Sequence, residues 1–380
     1  ELVLARLELD ALGVRFRIAN GLREFRAFDV RHKEILKRRP AYFSKADGHY
    51  SDYYFISGKN RTRSVNQYLT HWIYPYKGKF HPQMIRALLN IMGLQPGETV
   101  LDPFIGSGTT ALEAILLGVN CIGFDVSPLS VVQSKVKVDS VSALNEIREA
   151  SDGALQIFKE HGIRQQKFFE IINGIENAYV RDFYRMVYLV SVSDAARRKR
   201  DLTTSFHRNL ELMLGSVEDF SEVVAQLALN LGRADLREAD CRELPLSDNS
   251  VDGIITSPPY SIALDYVSND AHAFKALGYD LQQLREKFIG VRGQGTMKVA
   301  LYNQDMAQSY KEMSRVLKPG KFCSIVVGDA SFGGERIPTV DLTIKQCQGY
   351  GMRLIHNIPK IIFGLYNIML TENILIFQKV

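Results

Sequence analysis

Two short segments, far apart in the chain, set the limits on what it can fold into. The first is Val100-Leu101-Asp102-Pro103-Phe104-Ile105-Gly106-Ser107-Gly108-Thr109-Thr110. It reads as a buried strand over 98–101 running into a glycine loop at a helix start. An apolar helix over 109–117 follows, closed by Gly118, where helices favour glycine. A second strand over 119–124 then ends at Asp125. A strand, glycine loop, helix and strand in immediate succession cannot bury themselves alone. They call for an open, mostly parallel sheet covered by helices. The second segment is Thr256-Ser257-Pro258-Pro259-Tyr260, at the end of an apolar strand over 251–255. Its two prolines fix the backbone and remove two N–H donors.

The remaining pattern extends this architecture. A helix over 82–92 has Pro82 in its first turn and Met84, Ile85, Leu88, Leu89 and Met92 on one face. Strands are expected at 234–239, ending at Asp240, and at 321–327. Before the latter, a helix over 304–317 is stopped by Lys318-Pro319-Gly320. Residues 352–358 and 373–378 alternate as a closing antiparallel pair. Residues 139–229 differ: they are long, charged and helical in period, with Phe168, Ile171, Ile172, Ile175, Tyr179, Phe183 and Val187 at three- and four-residue spacing. The expected units are therefore 1–75, an inserted helical subdomain at 139–229, and an α/β domain from 76–138 and 230–380.

With 380 residues, 46% hydrophobic and 23% charged, the chain suits a globular protein with a large core. No apolar run approaches the roughly 20 residues of a membrane span, and no signal peptide is visible, although the sequence starts at Glu1. Cys121, Cys241, Cys323 and Cys347 form no Cys-x-x-Cys pair, so neither a metal site nor a disulfide framework is expected. A reduced cytoplasmic protein follows. Residues 1–70 hold 14 Lys and Arg against 8 Asp and Glu, while the whole chain carries +5. Tyr42, Phe43, Tyr50, Tyr53, Tyr54 and Phe55 interleave with those cations, a mixture suited to phosphates and bases. Arg61 and Arg63 are expected to contribute. The run Arg197-Arg198-Lys199-Arg200 and Arg292 are further candidate nucleic-acid contacts.

The glycine loop lets backbone approach a ligand. It lacks the Gly-Lys-Ser/Thr of a phosphate clamp and the third glycine of a dinucleotide enzyme. Asp125 can accept both hydroxyls of a ribose, and also suits a helix N-cap. Asp240, followed by Cys241, can accept from an adenine amino group.

These features together resemble the DNA amino-methyltransferase family, of the N4-cytosine and N6-adenine type. The resemblance covers 76–138 and 233–380. It implies the class I fold: a Rossmann-like, mostly parallel sheet with one antiparallel strand. It implies S-adenosylmethionine as cofactor. The loop residues Asp102, Pro103, Phe104, Gly106, Gly108, Thr109 and Thr110 would hold the methionine end, Asp125 the ribose, and Asp240 and Cys241 the adenine. Lys79-Phe80-His81-Pro82 resembles the family's segment that closes over the methionine, so Phe80 and Pro82 join the set.

The second segment would be catalytic. An exocyclic amine is a poor nucleophile because its lone pair is delocalised into the ring. The Ser257 hydroxyl and Pro258 carbonyl can accept its two hydrogens and favour a tetrahedral nitrogen, while Pro259 stiffens the loop. Tyr260 would stack on a base flipped out of DNA. Asp265 or His272 could add a contact. Serine at position 257 leans towards cytosine N4, with adenine N6 open, in the manner of a restriction–modification enzyme. The residues 81–90 also resemble tRNA guanine-N2 methyltransferases, which keeps RNA as an alternative substrate. None of the four cysteines follows a proline, which disfavours methylation of cytosine C5.

Overall fold

The computed structural model describes residues 1–28, 33–161, 165–259, 265–332, 335–360 and 369–380. Its centre is an eight-stranded sheet. We number its strands β1 (Thr99–Asp102), β2 (Asn120–Asp125), β3 (Ala234–Glu238), β4 (Val251–Thr256), β5 (Leu317–Phe332), β6 (Glu335–Ile337), β7 (Met352–Lys360) and β8 (Met369–Lys379). The spatial order is β7-β8-β5-β4-β1-β2-β3, with β6 hairpinned onto β5. Strands β3 to β5 pair in parallel, and β8 is inserted antiparallel between β5 and β7. This is the class I methyltransferase sheet. The chain leaves β1 towards β2 and β3, then returns to β4 on the other side of β1. That reversal opens a crevice at the carboxyl ends of β1 and β4.

The helices that matter for the crevice are α1 (Pro82–Ile91), α2 (Thr109–Leu116), α3 (Pro128–Asp139), α4 (Ala178–Arg198), α5 (Leu202–Gln226), α6 (Gly295–Val316) and α7 (Thr339–Gly349). One face of the sheet packs Val100, Cys121 and Ile255 against α1, α2 and the end of α5. The other packs Leu101, Ile254 and Cys323 against Tyr302, Met306, Tyr310 and Met313 of α6 and Val340 and Cys347 of α7. Burial on both faces explains why the parallel strands are nearly continuous apolar runs. All four cysteines are buried and free.

Two boundaries differ from the sequence reading. Helix α6 begins at Gly295, nine residues before the expected start. Its end at Val316 passes straight into β5, and Lys318-Pro319-Gly320 does not separate two elements. There Val251 faces Leu317 and Gly253 faces Phe322, so the intervening residues loop out as a bulge, with Gly320 at φ +75°. Proline is tolerated because it sits in that bulge.

Between α3 and β3 the chain forms helices Leu144–Glu149, Ser151–His161, Gln165–Asn173, α4 and α5. They share a core of Phe158, Phe168, Phe183, Tyr188 and Phe206, in which Phe158 and Phe206 stack at 3.9 Å. Val267, Phe274, Leu284 and Phe288, which follow the catalytic segment, belong to the same core. The N-terminal helix Leu2–Ala11 lies on α1, where Glu8 accepts from the Asn90 side chain at 2.8 Å and the Ala41 amide at 2.9 Å.

Gly232 stands where the chain re-enters the sheet, and a Cβ there would lie 2.1 Å from the Val119 carbonyl oxygen. Gly153, in an exposed helix, would meet nothing within 4 Å. Gly232→Ala should therefore lower stability by about 1–3 kcal/mol, whereas Gly153→Ala should raise it by up to about 1 kcal/mol. Thermal denaturation of the two variants against the parent checks both signs.

Candidate active site

Asp102 ends β1 at the middle of the sheet and is 1% exposed. Its Oδ1 accepts from the Phe104 amide (3.1 Å) and the Thr256 hydroxyl (2.7 Å), and its Oδ2 from the Thr110 hydroxyl (2.7 Å). One carboxylate thus fixes the turn after β1, the first turn of α2 and the end of β4. Asp125 ends β2 and accepts from the Gly106 amide (3.0 Å) and the Ser127 amide (2.8 Å). Gly106 and Gly108 have φ of +48° and +76°, and a Cβ on Gly108 would stand 2.9 Å from Ser134 of α3. The Gly106 carbonyl accepts from Gln133 (2.8 Å) and Ser134 (3.1 Å), and the Ser107 carbonyl from Lys137 (2.6 Å). Helix α3 therefore takes up the loop's acceptors, and the loop is rigid.

Glu113, which faces away from the loop on α2, accepts from the Tyr68 hydroxyl (2.5 Å) and from His71 Nε2 (2.9 Å), with Arg86 at 3.5 Å. Burial pushes His71 down to about 4, so it is neutral and donates through Nε2. Burial would raise the Glu113 carboxyl, but its partners hold it below its ordinary range. This cluster fastens residues 68–71 to α2, and the chain leaving it runs over the site.

A cleft opens where β1, β2 and β4 end. Pro103, Phe104, Asp125, Val126, Ser127, Cys241, Ser257 and Pro259 line its sheet side. Tyr76, Tyr266, Asp270, Phe274, Phe288 and Ile289 line the opposite side. The Tyr76 and Tyr266 rings are nearly parallel, with centroids 5.9 Å apart. The Tyr76 ring also covers the glycine loop, since a Cβ on Gly106 would lie 2.9 Å from its hydroxyl.

Arg197 of α4 clasps this roof. It donates to the Pro75 carbonyl (2.9 Å), the Asn269 carbonyl (3.0 Å) and Asp270 (2.6 Å). The Tyr74 hydroxyl reaches the same Asp270 oxygen at 2.8 Å, and Lys77 reaches the Asn269 side chain at 2.7 Å. The two segments that carry Tyr76 and Tyr266 are thus held to each other and to the helical insertion. Tyr76, Tyr266 and Asp270 carry no signal in the sequence that marks them as a roof. The basic run, read as a phosphate contact, was the available signal: Arg197 serves the roof, while Arg198 and Arg200 pair with Asp194.

The other sequence-derived residues fall as follows. Gly106, Gly108, Thr109 and Thr110 form the loop and the start of α2. Pro258 is buried behind the cleft, whereas Ser257 and Pro259 line it. The Ser257 hydroxyl donates to the Val326 carbonyl (3.0 Å), and Tyr302 donates to the Pro259 carbonyl (2.9 Å). Tyr260 lies outside the described residues. Phe80 packs on the core beside α1, and Pro82 is the buried first residue of α1, so neither lines the cleft. Asp240 also stands outside it, because Arg242 takes both its oxygens at 2.6–3.1 Å. Burial would raise Asp240, but Arg242 holds it below the ordinary carboxylate range. Asp265 caps the helix Tyr266–Asn269 and pairs with Arg285. His272 sits beside the Tyr74 hydroxyl at 3.5 Å. Arg292 is bound by Asp305, and Arg61 by Asp219 at 2.6 and 3.0 Å.

Burial pushes Asp102 and Asp125 up to about 6, and no Lys or Arg pairs with either among the described residues. A deep, anionic end beside the flat apolar walls of Phe104, Val126, Phe288 and Ile289 fits a nucleoside that carries positive charge. S-adenosylmethionine has that chemistry.

The sheet order and this cleft define a class I S-adenosylmethionine-dependent methyltransferase. The chain belongs to the UPF0020 family, the RMKL-like methyltransferase domain, whose model matches residues 73–318. It is 28% identical to the type II methyltransferase M.BsoBI of Geobacillus stearothermophilus over 280 residues, covering 58% of this chain and 55% of that protein. It is 41% identical to the type II methyltransferase M.MjaII of Methanocaldococcus jannaschii over 135 residues, 35% of this chain and 24% of that one. A tRNA (guanine(10)-N2)-dimethyltransferase of Methanothermobacter thermautotrophicus is 39% identical over 51 residues, 13% and 15% of the two chains. The chain thus spans about half the length of M.BsoBI and about a quarter of M.MjaII. No helix among the described residues is long and apolar enough to cross a membrane.

Two predictions follow from the charges. Cofactor affinity should fall as pH drops through about 6, where Asp102 and Asp125 take up protons, by up to about tenfold per pH unit. Stability should move oppositely. The folded values lie above the ordinary 3.8, so the folded chain keeps protons that the unfolded chain has released. The stabilising contribution is complete below about 4 and is lost as pH rises through 6. Calorimetric titration with cofactor between pH 5 and 8 checks the first sign, and denaturant melts over pH 4–7 the second. Arg197→Ala should release the roof and weaken cofactor binding by about 1–3 kcal/mol, read in the same calorimeter.

Proposed function

We propose that this protein transfers the methyl group of S-adenosylmethionine to the exocyclic amine of a DNA base flipped from the duplex, cytosine N4 first and adenine N6 otherwise. The observation that carries the reading is the position of Ser257 and Pro259. They line the same cleft as Asp125, at the end of a strand joined to the cofactor loop through Asp102. When bound, the cofactor supplies an electrophilic methyl group on sulfur. The Ser257 hydroxyl accepts one N–H of the amine. The Pro258 carbonyl accepts the other. Tyr260, which follows directly, supplies the stacking face. Asp125 holds the ribose, Phe104 and Cys241 border the adenosine, and the Asp102–Thr110 loop holds the methionine end. The likeness to two type II methyltransferases supports DNA as substrate. On this reading the enzyme works in the cytoplasm, as part of a modification system.

The three units read from the sequence keep distinct tasks in this proposal. Residues 76–138 and 230–380 carry the chemistry, 139–229 flanks the substrate, and 1–75 supports nucleic-acid binding. Within the last, Arg61 is committed to Asp219 and Lys59 to Glu222, so these two cations anchor the segment on α5. Arg63 is exposed and remains a candidate phosphate contact. The short match to a tRNA guanine-N2 enzyme supports a second reading, methylation of an RNA base amine.

The test is incubation with labelled S-adenosylmethionine and either duplex DNA or tRNA, followed by digestion to nucleosides. N4-methylcytosine from DNA is expected. N6-methyladenine keeps the amine chemistry and changes the base, labelled tRNA guanosine moves the protein to the second reading, and no transfer contradicts both. Tyr260→Ala should abolish most transfer with cofactor affinity near normal, since base–aromatic stacking is worth roughly 1–3 kcal/mol. Tyr260→Phe should keep substantial activity, and equal loss in both variants would assign the hydroxyl a polar task.

A further inference from the structure

A second, wider depression lies beside the cleft, and nothing described above uses it. It lies between the helical insertion and residues 275–279. Its walls carry Phe169 and Arg185 on one side and Lys275 and Tyr279 on the other. The two hollows are neighbours through shared elements. Leu129 and Ser130 of α3 line the cleft, and Pro128 and Val132 of the same helix line the depression. Phe274 lines the cleft, and the next residue, Lys275, lines the depression.

We propose that this groove holds the DNA strand next to the flipped nucleotide, with a phosphate on Lys275 and a base against Tyr279. The inference rests on the DNA reading above. A base leaving the helix for the cleft must carry its own backbone and that of its neighbour with it. A depression beside the cleft that offers a cation and an exposed aromatic ring suits an unpaired strand. Lys275 is exposed in the last turn of the helix Ala271–Ala276. Gly278, at φ +81°, turns the chain directly after that helix, and Tyr279 beyond it is 40% exposed. Arg185 is held in place by Asn173 (2.9 Å from Nε) and Asp182 (3.1 Å). The one carboxylate on the walls, Glu170, is offset by Lys167 at 3.2 Å. Arg185 is likewise paired with Asp182, which leaves Lys275 as the wall cation offered to a phosphate.

The experiment uses the full chain, a duplex containing the methylated site, and the variants Lys275→Ala, Tyr279→Ala and Tyr279→Phe. Both positions are at the surface, so cofactor affinity should match the parent and reports intact folding. Lys275→Ala should weaken DNA binding and reduce the slope of log affinity against log salt by about 1. Tyr279→Ala should raise KM for DNA about tenfold or more with kcat little changed, and Tyr279→Phe should restore the parent KM. If the parent methylates DNA and the variants keep its affinity, salt slope and KM, the groove assignment is overturned and the catalytic reading stands. If the parent methylates tRNA and not DNA, the DNA reading fails and this proposal falls with it.

Discussion

The site depends first on the Asp102 carboxylate. It is buried at the end of the central strand with no cation paired to it among the described residues, and three hydrogen bonds reach it from three different segments. A buried carboxylate is costly unless it is so satisfied. That cost becomes a geometric requirement: the loop after β1, the start of α2 and the end of β4 must meet at one point. The cofactor loop and the catalytic loop are far apart in sequence, and this junction sets their separation in space. Asp125 repeats the device one strand away, with its oxygens on the amides of Gly106 and Ser127. Of the two, Asp125 borders the cleft, where it suits a cationic ligand.

The central part of this arrangement was legible because it is local. The βαβ unit declares itself through apolar strands, a positive-φ glycine loop and a closing acid, and the observed elements start and end within a residue of the expected ones. The rest depended on contacts between distant segments. Tyr76 and Tyr266 are ordinary aromatics in sequence and become a roof only because Arg197, from the insertion, draws together the carbonyls of Pro75 and Asn269. A run of four basic residues looks like a solvated face, and here three of its members are consumed inside the protein. For Asp240 the warning was present in the sequence. Arg242 stands two residues on, near enough to claim the carboxylate, and it does. The long start of α6 was hidden by Gly293 and Gly295, which read as a flexible stretch, although Gly295 at φ +54° opens the helix.

The helical insertion thus has a structural consequence beyond its own core. It packs with residues 267–288, directly after the catalytic segment, and it reaches across to residues 74–77. The cleft is thus roofed by segments that the insertion ties together.

The most direct test of the junction is Thr256→Val, a nearly isosteric change that removes one donor to Asp102 and leaves the Thr110 and Phe104 bonds intact. The paired measurement is cofactor affinity by calorimetry and single-turnover methyl transfer on the same preparation. If Asp102 sets the distance between the two loops, affinity stays within a few-fold of the parent while transfer falls by about 1–3 kcal/mol in the barrier, roughly 5- to 150-fold. Transfer at the parental rate would contradict the account, because the two loops would then hold their relation without the bond that joins them.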